Sequence, residues 1–421
     1  MPRRFLLLFS VLALLGSACR PAQQAQTPGA GDFEGTSITF SISLAEAETA
    51  AIESLLSQFE EDTGAEVELT AVTSADLPEK LKVDVGANRP TIHLFAQDNL
   101  ALTELVDEDL VEDLSDVEIP DGVVESMIPQ RFDDKQFFLP FRPNVRVAYV
   151  NNGRFEAAGV EPPTTVEELR ETAEMLKAEA DGSAKVTFSL AEGDPAAVTI
   201  SEFVVSFGGD PLILNDEGSV EAFEFIQGMW RDELLAQESL LAKFDTEVDY
   251  IQGETAWLAQ NWPFTSSELA KQDLLDRFDV YAGWTGPERE AHVIGGDVLG
   301  ITKGVSGEEL EAAVALAQFL MSKETQEALA EQNAWPSIRD DAYGTVPEDQ
   351  QETFEAIQGA LENGYYRPNV AYWSDVSEQM NVAIRRIVEG GEDAKTVLDE
   401  LHANIEQAAQ EKGAEYPPPS A

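Results

Sequence analysis

Few side chains in this sequence could bind a metal ion or act as a strong nucleophile. The 421 residues include one cysteine, Cys19, and three histidines, His93, His292 and His402, which lie far apart along the chain. A single cysteine excludes both an internal disulfide and a cysteine-based metal site. We interpret the histidines as structural or surface residues. We therefore expect neither a metal ion nor a cofactor.

Carboxylates are the one reactive group in abundance, with 79 Asp and Glu against 27 Lys and Arg. A glycoside hydrolase needs two carboxylates about 5–10 Å apart. With so many acids, however, no pair stands out in the sequence. The GxSxG, HExxH and P-loop motifs are absent. The sequence therefore favours a protein that is not an enzyme.

The acidic excess gives a formal net charge of −52 at pH 7. Nucleic-acid binding requires clustered Lys and Arg, so a nucleic-acid partner is excluded. A basic patch that would hold the body on anionic lipid is excluded in the same way. The charge fits either a saline environment or a compositional bias of the lineage, and both interpretations stay open.

The first residues, MPRRFLLLFSVLALLGSAC, have the composition of an export signal. Two arginines precede the apolar run Phe5–Leu15, which is followed by small residues and is too short to span a bilayer. The segment resembles a bacterial lipoprotein signal, in which a cysteine at the position of Cys19 is lipidated; Gly16 replaces the usual leucine. Ordinary secretory cleavage after Ala18 is the alternative. Both interpretations make residues 1–18 a signal peptide.

The residues that follow predict a flexible tether and then a layered body. Residues 19–35 are rich in Pro, Gly, Ala and Gln and lack apolar periodicity. The chain length favours two lobes. Strand patterns at 37–44, 65–72 and 91–97 alternate with helical patterns at 45–63 and 77–86. This order predicts parallel strands joined by helical crossovers, and hence an α/β fold.

The remainder of the chain continues the same mixture of patterns. Residues 135–151 predict two extended runs joined at Arg142-Pro143, and Thr165 with Glu168 has the spacing of a capping box. Further strands are predicted at 186–190, 278–281 and 298–302. Further helices are predicted at 196–207, 219–231, 247–253, 308–321, 323–332, 349–361, 376–390 and 393–412.

Six segments taken in order carry a family resemblance. They are AEAETAAIESLLSQFEEDTGAEVEL, PTIHLFAQDNLALTELVDEDLVEDL, LPFRPNVRVAYVNNGRFEAAGVEPPTTVEEL, QGETAWLAQNWPFTSSEL, VIGGDVLGITKG with the helices after it, and RPNVAYWSDVSEQMNVAIRRIVEG. Together they resemble the extracellular solute-binding proteins of bacterial ABC importers. The resemblance covers about residues 37–412. Within the family, the maltose, trehalose and related oligosaccharide binders are the most similar in character.

This resemblance implies a periplasmic-binding-protein-like fold. Two α/β lobes would be joined by a multi-stranded hinge and would close on a ligand in the cleft between them. The chain would cross between the lobes near Pro143, Gly295 and Asp341. The implied parts are an N-terminal lobe of residues 36–143 and 296–340, a C-terminal lobe of residues 144–295 and 341–412, and a tail of residues 413–421.

A sugar site needs a flat aromatic surface and groups that form charge-assisted hydrogen bonds. Trp262 is followed by Pro263, which predicts that its ring lies on a loop. The resemblance makes Trp262 the stacking ring, with core packing as the alternative. Phe264 falls where relatives carry a second aromatic residue, again with core packing as the alternative. Asp98, after the third predicted strand, matches an acid that accepts from sugar hydroxyls, or it caps a helix.

The resemblance adds further polar positions to the predicted site. Asn144 stands where maltose-type relatives often carry an acid. Arg142 either reaches the cleft or pairs with a surface acid. Gly296 matches a glycine whose backbone permits close approach, and Asp297 replaces the aromatic residue that often follows it.

The last candidate positions lie at the two ends of the predicted body. Arg367 resembles the arginine that binds hydroxyls from the second lobe, with a structural ion pair as the alternative. Trp373, in the same aromatic-rich loop, is a weaker candidate. Glu46 weakly matches a ligand residue, and a solvated helix start is the alternative.

The resemblance therefore implies an exported, monomeric, membrane-anchored capture protein. It would bind a carbohydrate, such as an α-linked disaccharide like trehalose or maltose or a short oligosaccharide, and deliver it to the permease subunits of an ABC importer. Two alternatives stay open. The first is a secreted glycoside hydrolase, and the second is a binder of a non-sugar solute such as a polyamine or a phosphate ester.

Overall fold

The computed structural model describes residues 31–44, 46–73, 76–100, 102–333, 335–344, 346 and 350–417. The predicted signal peptide, Cys19 and most of the predicted tether lie outside the described residues. The order of strands and helices confirms the α/β class predicted from the sequence.

The strands and helices have the following bounds. The strands are β1 Ser37–Ser41, β2 Glu66–Thr70, β3 Leu94–Asp98, β4 Leu139–Val145, β5 Val147–Asn151, β6 Val186–Thr187, β7 Leu258–Asn261, β8 Phe278–Tyr281, β9 His292–Ile301 and β10 Gly364–Tyr366. The α-helices are α1 Glu46–Thr63, α2 Leu77–Gly86, α3 Leu102–Asp107, α4 Asn152–Ala158, α5 Val166–Glu179, α6 Asp194–Ser206, α7 Glu217–Arg231, α8 Phe244–Gln252, α9 Phe264–Ala270, α10 Glu308–Leu320, α11 Lys323–Asn333, α12 Gln351–Glu362, α13 Trp373–Ala383 and α14 Ala394–Glu411.

The first sheet has the order β10-β9-β3-β1-β2, with β4 also paired to β9. β1 is parallel to β2 and β3, as the alternating pattern predicted. β9 is antiparallel to β3 and β4 and parallel to β10. Ile38 and Phe40 of β1 are buried, since alternate residues of a strand face the same side. We call the body around this sheet the first lobe.

The second sheet has the order β6-β7-β5-β8. β5 lies at its centre, antiparallel to both β7 and β8, while β6 is parallel to β7. We call the body around it the second lobe. One face packs on a core that includes α5, α6, α7, α13 and α14. The other face joins the core of the first lobe through residues of α12.

The predicted joint at Arg142-Pro143 is wrong. Both residues lie inside β4, which pairs with β9 from Leu139 to Val145 with one register shift. The chain leaves the first sheet at Arg146, between β4 and β5. Proline lacks an N–H donor and is tolerated where a strand lies at the edge of a sheet. β4 has β9 as its single partner among the described strands, so Pro143 does not interrupt it.

Local side-chain caps explain where several helices begin. The Thr165 hydroxyl accepts from the Glu168 backbone N–H at 3.1 Å, which places the start of α5 where the sequence predicted it. The Glu168 carboxylate accepts from the backbone N–H and the hydroxyl of Thr164, each at 2.8 Å. The side chain of Asp393 similarly accepts from the Thr396 N–H at the start of α14.

Within the part of the chain that the structure describes, three segments connect the two sheets. The first is Arg146 between β4 and β5, the second runs from β8 to β9, and the third follows β10 and leads to α13. β10 belongs to the first sheet, although its residues fall within the range predicted for the C-terminal lobe. The lobe boundaries given above stay a prediction.

Candidate ligand cleft

Three charged side chains form a row across neighbouring strands of the first sheet. Asp98 ends β3 and lies opposite Asp297 in β9, which in turn lies opposite Arg142 in β4. Residues directly opposite one another point to the same face, with their Cβ atoms about 5 Å apart. We call Asp98, Asp297 and Arg142 the cleft row.

Arg142 forms ion pairs with two carboxylates, those of Asp297 and Glu48. Its Nη2 lies 2.7 Å from Asp297 Oδ2, and its Nη1 lies 3.4 Å from Glu48 Oε1. The guanidinium lies 4.6 Å from the ring centre of Trp335, whose Nε1–H donates to Glu48 at 2.7 Å. The Arg142 side chain remains 23% exposed. Two carboxylates and a cation–π contact therefore fix the guanidinium, in a side chain that stays partly exposed.

Sequence reasoning missed Glu48 and Trp335. Glu48 lies in the first turn of α1, two residues after the candidate Glu46, and Trp335 follows α11. Trp335 lies in the sequence QNAWPSI, where a tryptophan followed by proline is a signal of the same kind as the one that singled out Trp262. Glu46 is the first residue of α1, and its binding role stays a prediction.

Both carboxyls of the cleft row, Asp98 and Asp297, have raised pKa values. Burial raises the pKa of Asp98, against an N–H bond from Leu100 at 2.9 Å and the positive charge of Arg367. Burial also raises the pKa of Asp297, and its ion pair with Arg142 opposes that rise. Asp98 bonds the Leu100 N–H two residues ahead, which shapes the turn after β3. Its second oxygen is therefore the one with capacity for a ligand hydroxyl.

Gly296 occupies a position that only glycine can fill. Its φ is +89°, and an added Cβ would lie 2.1 Å from the Arg142 carbonyl oxygen. The close approach predicted for this glycine is therefore made by the backbone of β4. The Gly296 carbonyl accepts from the backbone and side-chain amides of Asn99 at 3.2 Å. Asn144 lies opposite Gly295 in the same pair of strands.

Trp262 lies on the short loop between β7 and α9, as predicted, but its ring is packed. Trp262 follows β7 directly and is 7% exposed. Its ring meets Phe244 edge-on at 5.5 Å and shares a small apolar cluster with Val198 and Val293. An added Cβ on Gly295 would come within 3.0 Å of this ring. The stacking role therefore stays a prediction, and in this conformation the ring supplies packing at the junction of the lobes.

Phe264 is the more accessible of the two predicted aromatic residues. Pro263 occupies the N-cap position of α9, so Phe264 becomes the first residue of that helix. Proline is well suited to a helix start because its missing N–H would lack a partner there anyway. Phe264 is 40% exposed. Its ring is therefore accessible to solvent in this conformation.

Arg367 is held in a buried ion pair. Its Nη1 lies 2.6 Å from Asp194 Oδ1, and the side chain is 3% exposed, whereas Asp194 is half-exposed at the start of α6. The guanidinium lies 5.9 Å from the ring of Trp373, the first residue of α13. The ion pair weighed as an alternative for Arg367 is thus present. Asp194 was missed by sequence reasoning, which found no signal for it.

The three histidines lie apart in the structure. His93 Nδ1 accepts from the Thr39 N–H, His292 Nε2 lies 2.9 Å from Glu290, and His402 Nδ1 lies 3.0 Å from the Tyr416 hydroxyl. Within the described ranges, no group of three His, Cys, Asp or Glu is arranged to hold a metal ion. No helix in the same ranges combines the length and the apolar character that a bilayer span needs.

Comparison with known proteins gives the class of the chain. A family profile described as bacterial extracellular solute-binding protein matches residues 54–356. The chain belongs to this family. A search of curated protein sequences finds no match.

Solved structures give the fold. The chain is similar to a maltose-bound MalE3 of T. maritima, with 21% identity over 88% of this chain and 99% of the other and a TM-score of 0.69. It is also similar to the cyclic alpha-maltosyl-1,6-maltose binding protein of Arthrobacter globiformis (18%, 89% and 99%, TM-score 0.77) and to the sugar-binding protein MalE of Xanthomonas citri (16%, 90% and 98%, TM-score 0.79). The fold is therefore the two-lobed periplasmic-binding type, as the sequence predicted.

Proposed function

We propose that this protein captures a neutral carbohydrate between its two lobes and delivers it to the permease of an ABC importer. The ligand is an α-linked disaccharide or short oligosaccharide, and the chain does not cleave it. The observation that carries the proposal is the cleft row. It combines Asp98, an acceptor with spare capacity, with Arg142, a fixed and partly exposed donor.

The pairing of charges favours a neutral ligand over a phosphate ester. Arg142 is matched by Asp297 and Glu48, and Arg367 is matched by Asp194. A phosphate would require cations that are not already neutralised. Sugar hydroxyls both donate and accept, so they suit a mixed row of carboxylate, guanidinium and the Asn144 amide.

Aromatic residues complete the proposed site. Phe264 offers an accessible ring, while Trp262 and Trp373 are 7% and 9% exposed and supply apolar surface beside it. Sugar rings have apolar faces that stack on such surfaces. Two of the similar structures name maltose or a cyclic maltosyl-maltose as the ligand, which supports this choice of solute class.

A hydrolase is the second candidate, because Asp98 and Asp297 lie directly opposite one another. A retaining glycosidase uses carboxyls about 5–5.5 Å apart. However, Asp297 forms an ion pair with Arg142 at 2.7 Å. A neighbouring positive charge favours the ionised carboxylate, which cannot donate a proton. Incubation of the chain with maltose and maltotriose separates the candidates. We expect intact sugar after hours, whereas product release that stops with Asp98→Asn would support the hydrolase.

Ligand identity is tested by thermal shift against maltose, trehalose, maltotriose, spermidine and glucose 6-phosphate. A ligand that binds the folded state alone raises the melting temperature. We expect the neutral sugars to raise it. A shift caused by spermidine or the phosphate ester alone would replace the carbohydrate proposal and leave the two-lobed capture protein standing.

We further propose that the chain is exported and anchored through lipid on Cys19. Cys19→Ser then releases the protein from the membrane fraction, because a chain this acidic has little attraction for anionic lipid. Chemical labelling with an azido fatty acid checks the modification directly. A Cys19→Ser protein that stays in the membrane fraction contradicts the proposed anchor.

A further inference from the structure

Helix α6 is bonded to all three chain segments that connect the two sheets. Arg146 is the residue between β4 and β5, Val293 is the second residue of β9 and lies next to the second connection, and Arg367 follows β10. Each of these residues bonds to a carboxylate of α6, either Asp194 or Glu202. One helix of the second lobe therefore contacts every connection.

The first connection is held by a fully buried arginine. Arg146 Nη2 donates to Glu202 Oε2 at 2.7 Å and to Gln260 Oε1 at 2.8 Å, while Nη1 donates to Thr199 Oγ1 at 2.8 Å. The Arg146 side chain is 2% exposed. We call Arg146, Thr199, Glu202 and Gln260 the hinge cluster.

The same carboxylate also bonds the start of β9, next to the second connection. The other oxygen of Glu202, Oε1, accepts from the backbone N–H of Val293 at 3.0 Å. Val293 pairs with Tyr365 of β10 in the first sheet, so this bond runs from the second lobe to the first. The Glu202 side chain therefore accepts from the side chain of Arg146 at the first connection and from the backbone N–H of Val293 beside the second.

We propose that Glu202 is a positioning residue that sets the angle between the two lobes. That angle fixes the distance from the cleft row to Phe264 and Trp262 in the second lobe. The inference rests on the proposal that the ligand binds between the lobes. It does not depend on which solute is bound, and it can be tested without ligand.

Interlobe distances provide the test. The full chain carrying Cys19→Ser, Val83→Cys and Leu241→Cys is spin-labelled at the two new cysteines, which replace side chains that are 61% and 70% exposed, one in each lobe. Pulsed electron spin resonance then gives the distribution of distances between the labels. Loss of the Glu202 bonds should widen that distribution by about 5 Å, which is the displacement from a ~15° rotation about 20 Å from the hinge.

Two variants separate positioning from stability. Glu202→Ala leaves Arg146 as an unpaired buried charge and lowers the melting temperature. Arg146→Met with Glu202→Leu replaces the pair by apolar groups, which often leaves stability unchanged or improved. It still removes the bond to Val293. The Val293 N–H is then left without an acceptor, so the double variant should melt somewhat below the parent but above Glu202→Ala, and yet show the wider distribution.

The matched control is Glu254→Ala. Glu254 pairs with Arg154 and Arg277 inside the second lobe and makes no bond to a connection. We expect this control to keep the parent distribution. If the double variant folds and keeps the parent distribution of label distances, it is not distinguished from the control. That result would mean that Glu202 does not set the angle between the lobes, and the inference would fail. Failure to bind sugar would not alter either result.

Discussion

Arg142 and Arg146 stand four residues apart on one extended stretch of chain, and each is held by carboxylates. Arg142 keeps 23% of its side chain exposed and pairs with Asp297 and Glu48, whereas Arg146 keeps 2% and pairs with Glu202. The chemistry of the two ion pairs is the same. The difference lies in access, because a guanidinium that solvent reaches can also be reached by a ligand.

The comparison separates recognition from positioning. A buried ion pair contributes little net stability, but it strongly penalises loss of either partner. It is therefore suited to fixing one arrangement of chain segments, as in the hinge cluster. A partly exposed pair such as Arg142–Asp297 can exchange a solvent contact for a ligand hydroxyl at a small energetic cost.

The largest expected effect is that of replacing Arg146, the buried arginine. Arg146→Ala leaves Glu202 buried without its cation, so we expect the free energy of unfolding to fall by about 3–5 kcal/mol. Arg142→Ala should cost less, because the Arg142 and Glu48 side chains are 23% and 26% exposed and solvent can replace part of the lost contacts, although Asp297, at 11%, is largely buried. Urea unfolding of the two variants measures the difference. Equal decreases in the free energy of unfolding would show that the difference in solvent exposure does not distinguish the two arginines.

A second prediction concerns Glu247, which is fully buried beside the hinge cluster. Burial raises its pKa from the usual 4.5 to about 7, against a hydrogen bond from Ser189 and the charge of Arg146. The folded state therefore keeps its proton while the unfolded state loses it, and stability falls as the pH rises from about 4.5 to about 7. One such group changes the free energy of unfolding by about 3 kcal/mol.

Glu247→Gln removes that titration. We expect the variant to match the parent near pH 4 and to be more stable than the parent at pH 8. Thermal unfolding of both proteins across this range tests the sign. Glu352→Gln, on α12, is a control for a less buried carboxyl whose pKa burial also raises. A constant difference between Glu247→Gln and the parent at all pH values would contradict the assignment.

A third prediction concerns the cleft row. Asp98→Ala should weaken maltose binding by about tenfold to a hundredfold, because a buried hydroxyl left without its acceptor costs about 1–3 kcal/mol. Asp98→Asn should cost less, since the amide keeps one acceptor. Calorimetric titration gives both values. Asp109→Ala, at an exposed acid of the first lobe, is the control that should bind as the parent does.

The smallest expected effect concerns Trp335. Trp335→Phe keeps an aromatic face beside Arg142 but loses the Nε1–H bond to Glu48. A hydrogen bond of this kind contributes about 0.5–1.5 kcal/mol of free energy. We expect affinity for maltose to fall by roughly threefold to tenfold. Trp335→Ala should cost more because the cation–π contact goes as well. Equal affinities of the two variants would mean that the ring does not orient Arg142.

The sequence predicted the fold well where patterns are local. Amphipathic spacing placed α2 and β8 with the bounds seen, and the strand–helix alternation predicted the parallel pairing of β1 with β2 and β3. It missed β10, which has three residues and forms by pairing with β9. Such a short strand has no periodicity of its own.

The site was predicted less completely, for a related reason. Asp98, Arg142 and Asp297 were each named, but their alignment in one row depends on the register of strands distant in sequence. Trp262 was expected on a loop because Pro263 follows it, and it does lie between β7 and α9. The packing of its ring against Gly295 was not foreseen. Such long-range packing leaves no local pattern.

The most direct test of the central claim is calorimetric titration of the purified chain with maltotriose and, separately, with spermidine. We predict saturable binding of maltotriose that Asp98→Ala weakens at least about tenfold, together with no saturable binding of spermidine. Saturable binding of spermidine with no response to maltotriose, maltose or trehalose would contradict the account, because the cleft row would then serve as a site for a cation.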